Sequence, residues 1–275
     1  MRSILITGCS SGIGYDAAHT LHKRGWHVLA TCRAEDDCRR LRDEGLDSFV
    51  LDYEDPTTIA AAVETVLAKT GGTLDALFNN GAYAIPSAVE DLPVAALRQN
   101  FEANFFGWHD LTRRVIPVMR AQGHGRIVQC SSVLGLQAMP WRGAYNATKF
   151  ALEGLTDTLR LEMRDTGIKV VLIEPGPIRT AFRTNARKQF DRWIDWEASP
   201  RAAQYRESLV PRLYAAEQKP DRFELGPPAV TAKLIRALEA PHPRAHYYVT
   251  TPTYIAAAAR RLLPQRLIDR LMAAV

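Results

Sequence analysis

Ser3-Ile4-Leu5-Ile6-Thr7 runs straight into Gly8-Cys9-Ser10-Ser11-Gly12-Ile13-Gly14, and a helical pattern over Tyr15–Arg24 follows at once. Few folds accept an apolar strand, a glycine-rich turn and a helix in that order. Strand, turn and helix together set backbone N–H groups and a helix N-terminus against a phosphate. Gly8 permits the tight turn, Gly12 lets the backbone approach a pyrophosphate, and Gly14 lets the helix pack close to the strand. The spacing is G-x-x-x-G-x-G rather than the common G-x-G-x-x-G.

The rest of the chain repeats this alternation. Strands are expected at Ser3–Thr7, His27–Thr31, Ser48–Leu51, Ala76–Asn79, Gly125–Ser131, Ile168–Glu174 and His246–Thr250. Helical patterns cover Pro56–Lys69, Pro93–Ala121, Ala144–Thr166 and Pro228–Leu238. Apolar strands separated by helices predict a doubly wound α/β fold: a parallel sheet of about seven strands with helices on both faces. Ligands on such sheets sit beyond the carboxyl ends of the strands. Gly8, Arg33, Asp52, Asn80, Ser132 and Pro175-Gly176 each follow one of the first six strands, so all converge on one edge.

Composition excludes several roles. The 275 residues carry a net charge of only +5, with basic residues scattered, which gives no reason to expect nucleic-acid binding. Cys9, Cys32, Cys38 and Cys130 show no metal spacing and no disulfide framework, and no metal is expected. No stretch reaches the apolar length of a membrane span. These features, with a first strand that begins almost at Met1, predict a cytoplasmic protein of one domain over residues 1–275.

Tyr145 and Lys149 stand four residues apart in a helical segment, one turn apart on one face. An ammonium so placed can stabilise a tyrosinate and lower the tyrosine's pKa. A tyrosine tuned in this way exchanges a proton with an alcohol oxygen.

These motifs resemble the short-chain dehydrogenase/reductase family from Ser3 to about Arg183. The likeness rests on Thr7-Gly8-x-x-x-Gly12-Ile13-Gly14, Asn79-Asn80-Gly81, Asn104-Phe105-Phe106-Gly107, Ser131-Ser132, Tyr145-x-x-x-Lys149 and Pro175-Gly176. Gly8–Gly14 and Glu174–Thr180 look most like bacterial NADP-dependent aldehyde reductases. They are also similar to the 17β-hydroxysteroid and retinol dehydrogenase branch. Gly81 and Ala82 are exchanged relative to the family's usual Asn-Asn-Ala-Gly.

The resemblance implies a Rossmann fold and roles for single residues. Tyr145 would be the general acid in reduction and the base in oxidation. Lys149 would lower its pKa and hold the nicotinamide ribose. Ser132 would bond the substrate oxygen, and Asn104 would sit behind Lys149 and anchor a relay water. Gly8, Ser10, Ser11, Gly12, Ile13, Gly14, Asp52, Asn80, Gly81, Pro175, Gly176, Ile178 and Thr180 would contact the cofactor, Asp52 at the adenine. Pairing into a homodimer or homotetramer would use the long helices that carry Asn104 and Tyr145.

The second strand ends in Cys32-Arg33 with no carboxylate at the place that selects NAD. A guanidinium there can pair with a 2′-phosphate, so NADP is expected before NAD. Glu35, Asp36 and Asp37 read as the acidic first turn of the next helix. Tyr83, Ile85, Leu134, Met139 and Trp141 are expected pocket walls. Residues 181–225 form a substrate-binding lid rich in aromatics and arginines. These aromatics either contact a bulky apolar substrate or fill the lid's own core. Residues 251–275 are an amphipathic C-terminal extension that covers the pocket, contacts a partner copy or rests on a membrane surface. The expected activity is NADP-dependent reduction of a hydrophobic aldehyde or ketone. The alternatives are an oxidative alcohol or hydroxysteroid dehydrogenase and, from another class, a non-catalytic NADP-sensing regulator.

Overall fold

Seven short strands form one parallel sheet in the computed structural model, which describes residues 1–215 and 221–273. They are β1 (Ser3–Ile6), β2 (His27–Cys32), β3 (Asp47–Val50), β4 (Ala76–Asn79), β5 (Gly125–Cys130), β6 (Ile168–Glu174) and β7 (His246–Tyr248). The order is β3-β2-β1-β4-β5-β6-β7. Ile4 pairs with Val28 on one side and Ala76 on the other, which fixes the register of the three central strands. Ile4, Leu5 and Ile6 are all fully buried, as a strand covered on both faces requires. The order reverses between β1 and β4, and that reversal opens a crevice at the carboxyl edge.

The helices follow from local signals. α1 is Gly12–Lys23 and α2 is Glu35–Asp43. α3 (Pro56–Thr70) is capped by Asp55, whose carboxylate accepts from the Thr57 N–H, with Pro56 in the first turn. It stops at Gly71, which takes φ 66°. α6 (Gly143–Glu162) carries the tyrosine–lysine pair, and α10 (Pro228–Glu239) packs on α1. The predicted helix Pro93–Ala121 is broken into α4 (Val94–Phe101), a π turn (Glu102–Phe106) and α5 (Gly107–Ala121). Gly107 explains where the second part resumes: a Cβ there would lie 2.4 Å from the Tyr53 carbonyl oxygen. The helix can pass Tyr53 only at a residue without a side chain.

The lid is built from α7 (Phe182–Trp193), α8 (Ala202–Gln204), a π turn (Tyr205–Leu209) and α9 (Val210–Tyr214). Its Phe190, Trp193, Trp196 and Tyr205 join Tyr83 and Ile85 in a second hydrophobic cluster separate from the sheet core. The C-terminal extension forms α11 (Thr251–Leu262) and α12 (Gln265–Ala273). Residues 216–220 of the predicted lid and 274–275 of the extension lie outside the described residues. Among the described residues no helix is long and apolar enough to cross a membrane. All four cysteines are buried and free.

Candidate active site

The glycine turn folds as its spacing demands. Gly8 and Gly12 take φ 68° and 62°, the left-handed region that side chains avoid. A Cβ on Gly8 would meet the Gly81 Cα at 2.6 Å, and one on Gly14 would meet the Gly8 carbonyl oxygen at 2.3 Å. A Cβ on Gly81 itself would meet the Gly8 backbone at 3.4 Å, an ordinary contact, so this approach demands the glycine at position 8 and does not explain the exchange of Gly81 and Ala82. The turn's hydrogen bonds are complete. Thr7 Oγ1 accepts from the Asn80 N–H (2.9 Å) and the Gly81 N–H (3.3 Å), and the Gly81 carbonyl accepts from the Trp108 indole (2.9 Å). Asn80 Nδ2 donates to the Thr7 carbonyl at 3.0 Å. Ser11 caps α1 without a side-chain bond of its own, so its hydroxyl and the first N–H groups face the cleft.

Tyr145 and Lys149 lie on the buried face of α6, 8% and 1% exposed. Lys149 Nζ donates to the Cys130 carbonyl at 2.8 Å and sits 4.2 Å from the centre of the Trp108 ring. Burial lowers its pKa to about 8. The Tyr145 phenol is pushed well above its ordinary value by burial, opposed by a hydrogen bond with Ser132. Burial sets the direction of the tyrosine's shift, with Lys149 Nζ 5.6 Å from the centre of its ring. The nearer contacts of the ammonium, a carbonyl and an indole, come from other elements, which spacing along one helix cannot reveal. Ser132 starts the short turn Val133–Gly135, and its Oγ accepts from the Leu134 N–H at 3.1 Å. Asn104, in the π turn, accepts from the Tyr83 N–H (3.1 Å) and donates to the Tyr83 carbonyl (2.8 Å) and the Thr148 hydroxyl (3.3 Å). It holds Tyr83 and touches the residue next to Lys149.

Behind Lys149 lies a buried set that the sequence did not disclose. Glu153, Glu174 and His246 bring their side-chain atoms within 4.8 Å of one another. His246 Nδ1 is 2.6 Å from Glu174 Oε1, while Glu153 Oε1 has no hydrogen-bond partner. Burial first, then the Glu174 charge, pushes the Glu153 carboxyl up to about 7. The unfolded chain releases that proton near the ordinary carboxyl value, and the folded chain holds it until about 7. Stability from this group is thus greatest in acid and falls as pH rises through that window, by on the order of 3 kcal/mol. Glu153→Gln is expected to raise the melting temperature at pH 8 and leave it near wild type at pH 4.5. Melting curves that shift equally at both pH values would refute this.

One cavity of about 1270 Å³ joins these parts. Gly8, Ser10, Ser11, Gly12, Ile13, Arg33, Asp52, Asn80 and Gly81 line one end. Pro175, Gly176, Ile178 and Thr180 border it, as do Ser132, Tyr145 and Lys149. Gly14 and Asn104 stand behind its wall as packing and holding residues. Asp52 is both a turn former, accepting from the Glu54 N–H at 3.0 Å, and a wall residue. Tyr83, Leu134, Met139 and Trp141, the expected pocket walls, line the cavity near Tyr145, whereas Ile85 is fully buried in the second cluster and does not. Of the lid aromatics, Phe182 reaches the cavity and packs edge-on against Tyr145 at 5.2 Å. Phe190, Trp193, Trp196 and Tyr205 fill the lid's own core instead. Ile255, Ala256, Ile268 and Leu271 of the C-terminal helices close the cavity's remaining side, so this extension covers the pocket.

Three supporting residues escaped the sequence reading. The Tyr53 hydroxyl lies 2.7 Å from both Thr7 Oγ1 and Asn79 Oδ1. Trp108 underlies Lys149 and anchors Gly81. Arg40 of α2 donates to the Ser10 carbonyl at 2.7 Å, bringing a guanidinium to the glycine turn. A tyrosine, a tryptophan or an arginine alone carries no spacing signal for such roles.

A parallel sheet with a glycine turn at its switch point, and a buried tyrosine and lysine on the same edge, defines a nucleotide-dependent oxidoreductase. The chain belongs to the short chain dehydrogenase family, whose sequence model matches residues 2–191, and it is an NAD(P)-dependent dehydrogenase/reductase. It is 41% identical to the uncharacterized oxidoreductase YbbO of Escherichia coli over 98% of this chain and 94% of that one. It is 31% identical to an NADPH-dependent 3-dehydrocapnine reductase of Ornithobacterium rhinotracheale over 98% and 96%. The crystal structure of a short-chain dehydrogenase from Streptomyces avermitilis superposes with a TM-score of 0.78 at 26% identity, covering 99% of this chain and 95% of that one.

Proposed function

We propose that this protein reduces a hydrophobic aldehyde or ketone to an alcohol with NADPH. The observation that carries the reading is the single cavity that runs from Arg33 past the glycine turn to Ser132, Tyr145 and the apolar wall. The residues present fit a dinucleotide: the turn holds Gly8, where a Cβ has no room, and the open start of α1 favours an anion. Gly8, Ser10, Ser11, Gly12 and Ile13 would hold the pyrophosphate, Asp52 the adenine, and Asn80, Lys149, Pro175, Gly176, Ile178 and Thr180 the nicotinamide half. The bound nicotinamide supplies the hydride. Tyr145 keeps its proton at neutral pH because burial raises its pKa, so it is poised to give that proton to a carbonyl oxygen as negative charge develops there. Ser132 donates to the same oxygen. Lys149 positions the ribose, and Asn104 fixes the Tyr83 wall.

Arg33 supports NADP over NAD. It is exposed at the end of β2 and has no carboxylate partner among the described residues. The acids that follow it are occupied: Glu35 pairs with Arg42, Asp36 with Arg39 (3.2 Å) and Asp37 with Arg40 (3.2 Å). The NADPH dependence printed for the Ornithobacterium relative agrees with this. Titration of the purified protein with NADPH and NADH, followed by fluorescence, tests it. NADPH is expected to bind more tightly, and Arg33→Asp to weaken it roughly 10- to 100-fold, the size of a lost charge-assisted pair, with little effect on NADH. Equal affinities, or an indifferent Arg33→Asp, would remove the NADP assignment. Turnover across a panel of aldehydes and ketones then tests the reaction itself.

A further inference from the structure

Arg142, Arg183 and Arg212 line this end of the cavity with Asp221 and Glu224, of which Glu224 is taken up by Arg179 at 2.9 Å. Asp221 is shared: Arg183 donates to its Oδ2 at 3.3 Å and Arg212 to its Oδ1 at 3.1 Å. Arg142 has no acidic partner among the described residues. Its one side-chain hydrogen bond among them is a 3.2 Å donation to the neighbouring Trp141 carbonyl. With Glu224 held by Arg179, three guanidiniums are left to share Asp221 at a half-buried wall, directly before the helix turn that carries Tyr145. Burial, and then the Arg212 and Arg183 charges, lower the Arg142 pKa to about 10, and the Asp221 charge offsets them only in part.

Resting on the reductase reading above, we propose that Arg142, with Arg183 and Arg212 beside it, binds an anionic group of the carbonyl substrate, a carboxylate, sulfonate or phosphate. An anion there supplies the missing counter-charge and accepts paired bonds from the planar guanidinium. The apolar wall formed by Leu134, Met139 and the C-terminal helices takes the hydrocarbon part. The substrate class is therefore an amphiphilic oxo acid rather than a neutral aldehyde or ketone.

Nonanal and 9-oxononanoate share a chain length and differ at the far end by a carboxylate, so their reduction by the intact protein with NADPH is the test. The wild type is expected to show a KM about 10-fold or more lower for 9-oxononanoate, as one or two charge-assisted bonds would give. Arg142→Gln is expected to abolish that advantage while kcat, the nonanal KM and the NADPH affinity stay within about two-fold; Arg142→Lys should restore part of it. Equal KM values in the wild type, or an Arg142→Gln defect shared by both substrates, would overturn the proposal. A fall in NADPH affinity in Arg142→Gln would also overturn it, assigning the arginine to the cofactor's phosphates. If neither compound is reduced, the reductase reading fails separately. Thermal stabilisation by nonanedioate in wild type but not in Arg142→Gln then still decides for the anion site, and no stabilisation decides against it.

Discussion

Tyr145→Phe is expected to lose about 10²- to 10⁴-fold in carbonyl reduction, the range a positioned general acid contributes. The ring's packing against Phe182 at 5.2 Å remains after the change, because only the hydroxyl is removed. Folding and NADPH affinity should accordingly stay close to wild type. The phenol's raised pKa sharpens the expectation, since the residue holds its proton through the neutral range. Ser132 also sits at the site, but its hydroxyl is a far weaker acid and already accepts from Leu134. Stopped-flow measurement of the hydride step, set beside a fluorescence titration with NADPH, gives both readouts. Turnover within a few-fold of wild type would end the proposed mechanism, whereas joint loss of turnover and binding would indicate a folding defect.

The second large effect concerns two glycines that both lie inside helices. At Gly14 a Cβ would stand 2.3 Å from the Gly8 carbonyl oxygen and 2.8 Å from Asn80 Nδ2. Neither can yield, because one is backbone and the other is bonded to Thr7. Gly14→Ala is expected to cost about 1–3 kcal/mol or more of stability by overpacking. By displacing the glycine turn it should also reduce NADPH affinity at least tenfold. At Gly154, by contrast, a Cβ meets nothing within 4 Å on the exposed face of α6. Gly154→Ala should stabilise the protein by about 0.5–1 kcal/mol, the helix preference of alanine over glycine. Thermal melts of the two variants check the sign in each case. A tolerated Gly14→Ala would mean that strand and helix are not packed as closely as the geometry requires.

Alternation of apolar runs and helical periods made the parallel sheet legible, because burial on both faces leaves a local pattern in each strand. The convergence of Gly8, Arg33, Asp52, Asn80 and Ser132 on one edge followed from the same alternation, since every strand runs the same way. What escaped the sequence depends on partners far away in the chain. The π turn at Asn104 exists because Gly107 must pass Tyr53 and because Asn104 reaches across to Tyr83. Lys149 turns toward Cys130 and Trp108, neither of which the Tyr145 spacing implies. Ile85, two residues from Tyr83, joins the same second cluster but is fully buried and stops short of the cavity that Tyr83 borders, a difference set by packing and not by sequence proximity. Arg40 reaches the glycine turn only because α2 folds back over it.

Arg260 of α11 donates to the Gly135 and Leu136 carbonyls, the end of the turn that Ser132 begins. The helix that lines one side of the cavity is thereby tied to the turn that begins at Ser132, the residue proposed to bond the reacting oxygen. A lineage that reshapes its C-terminal helices to admit a new compound also tugs on the machinery that processes it. Under the proposed mechanism, specificity and speed would then be inherited as one trait, and an engineer who trims this tail to widen the range of compounds accepted would have to re-anchor Gly135 before judging the rate.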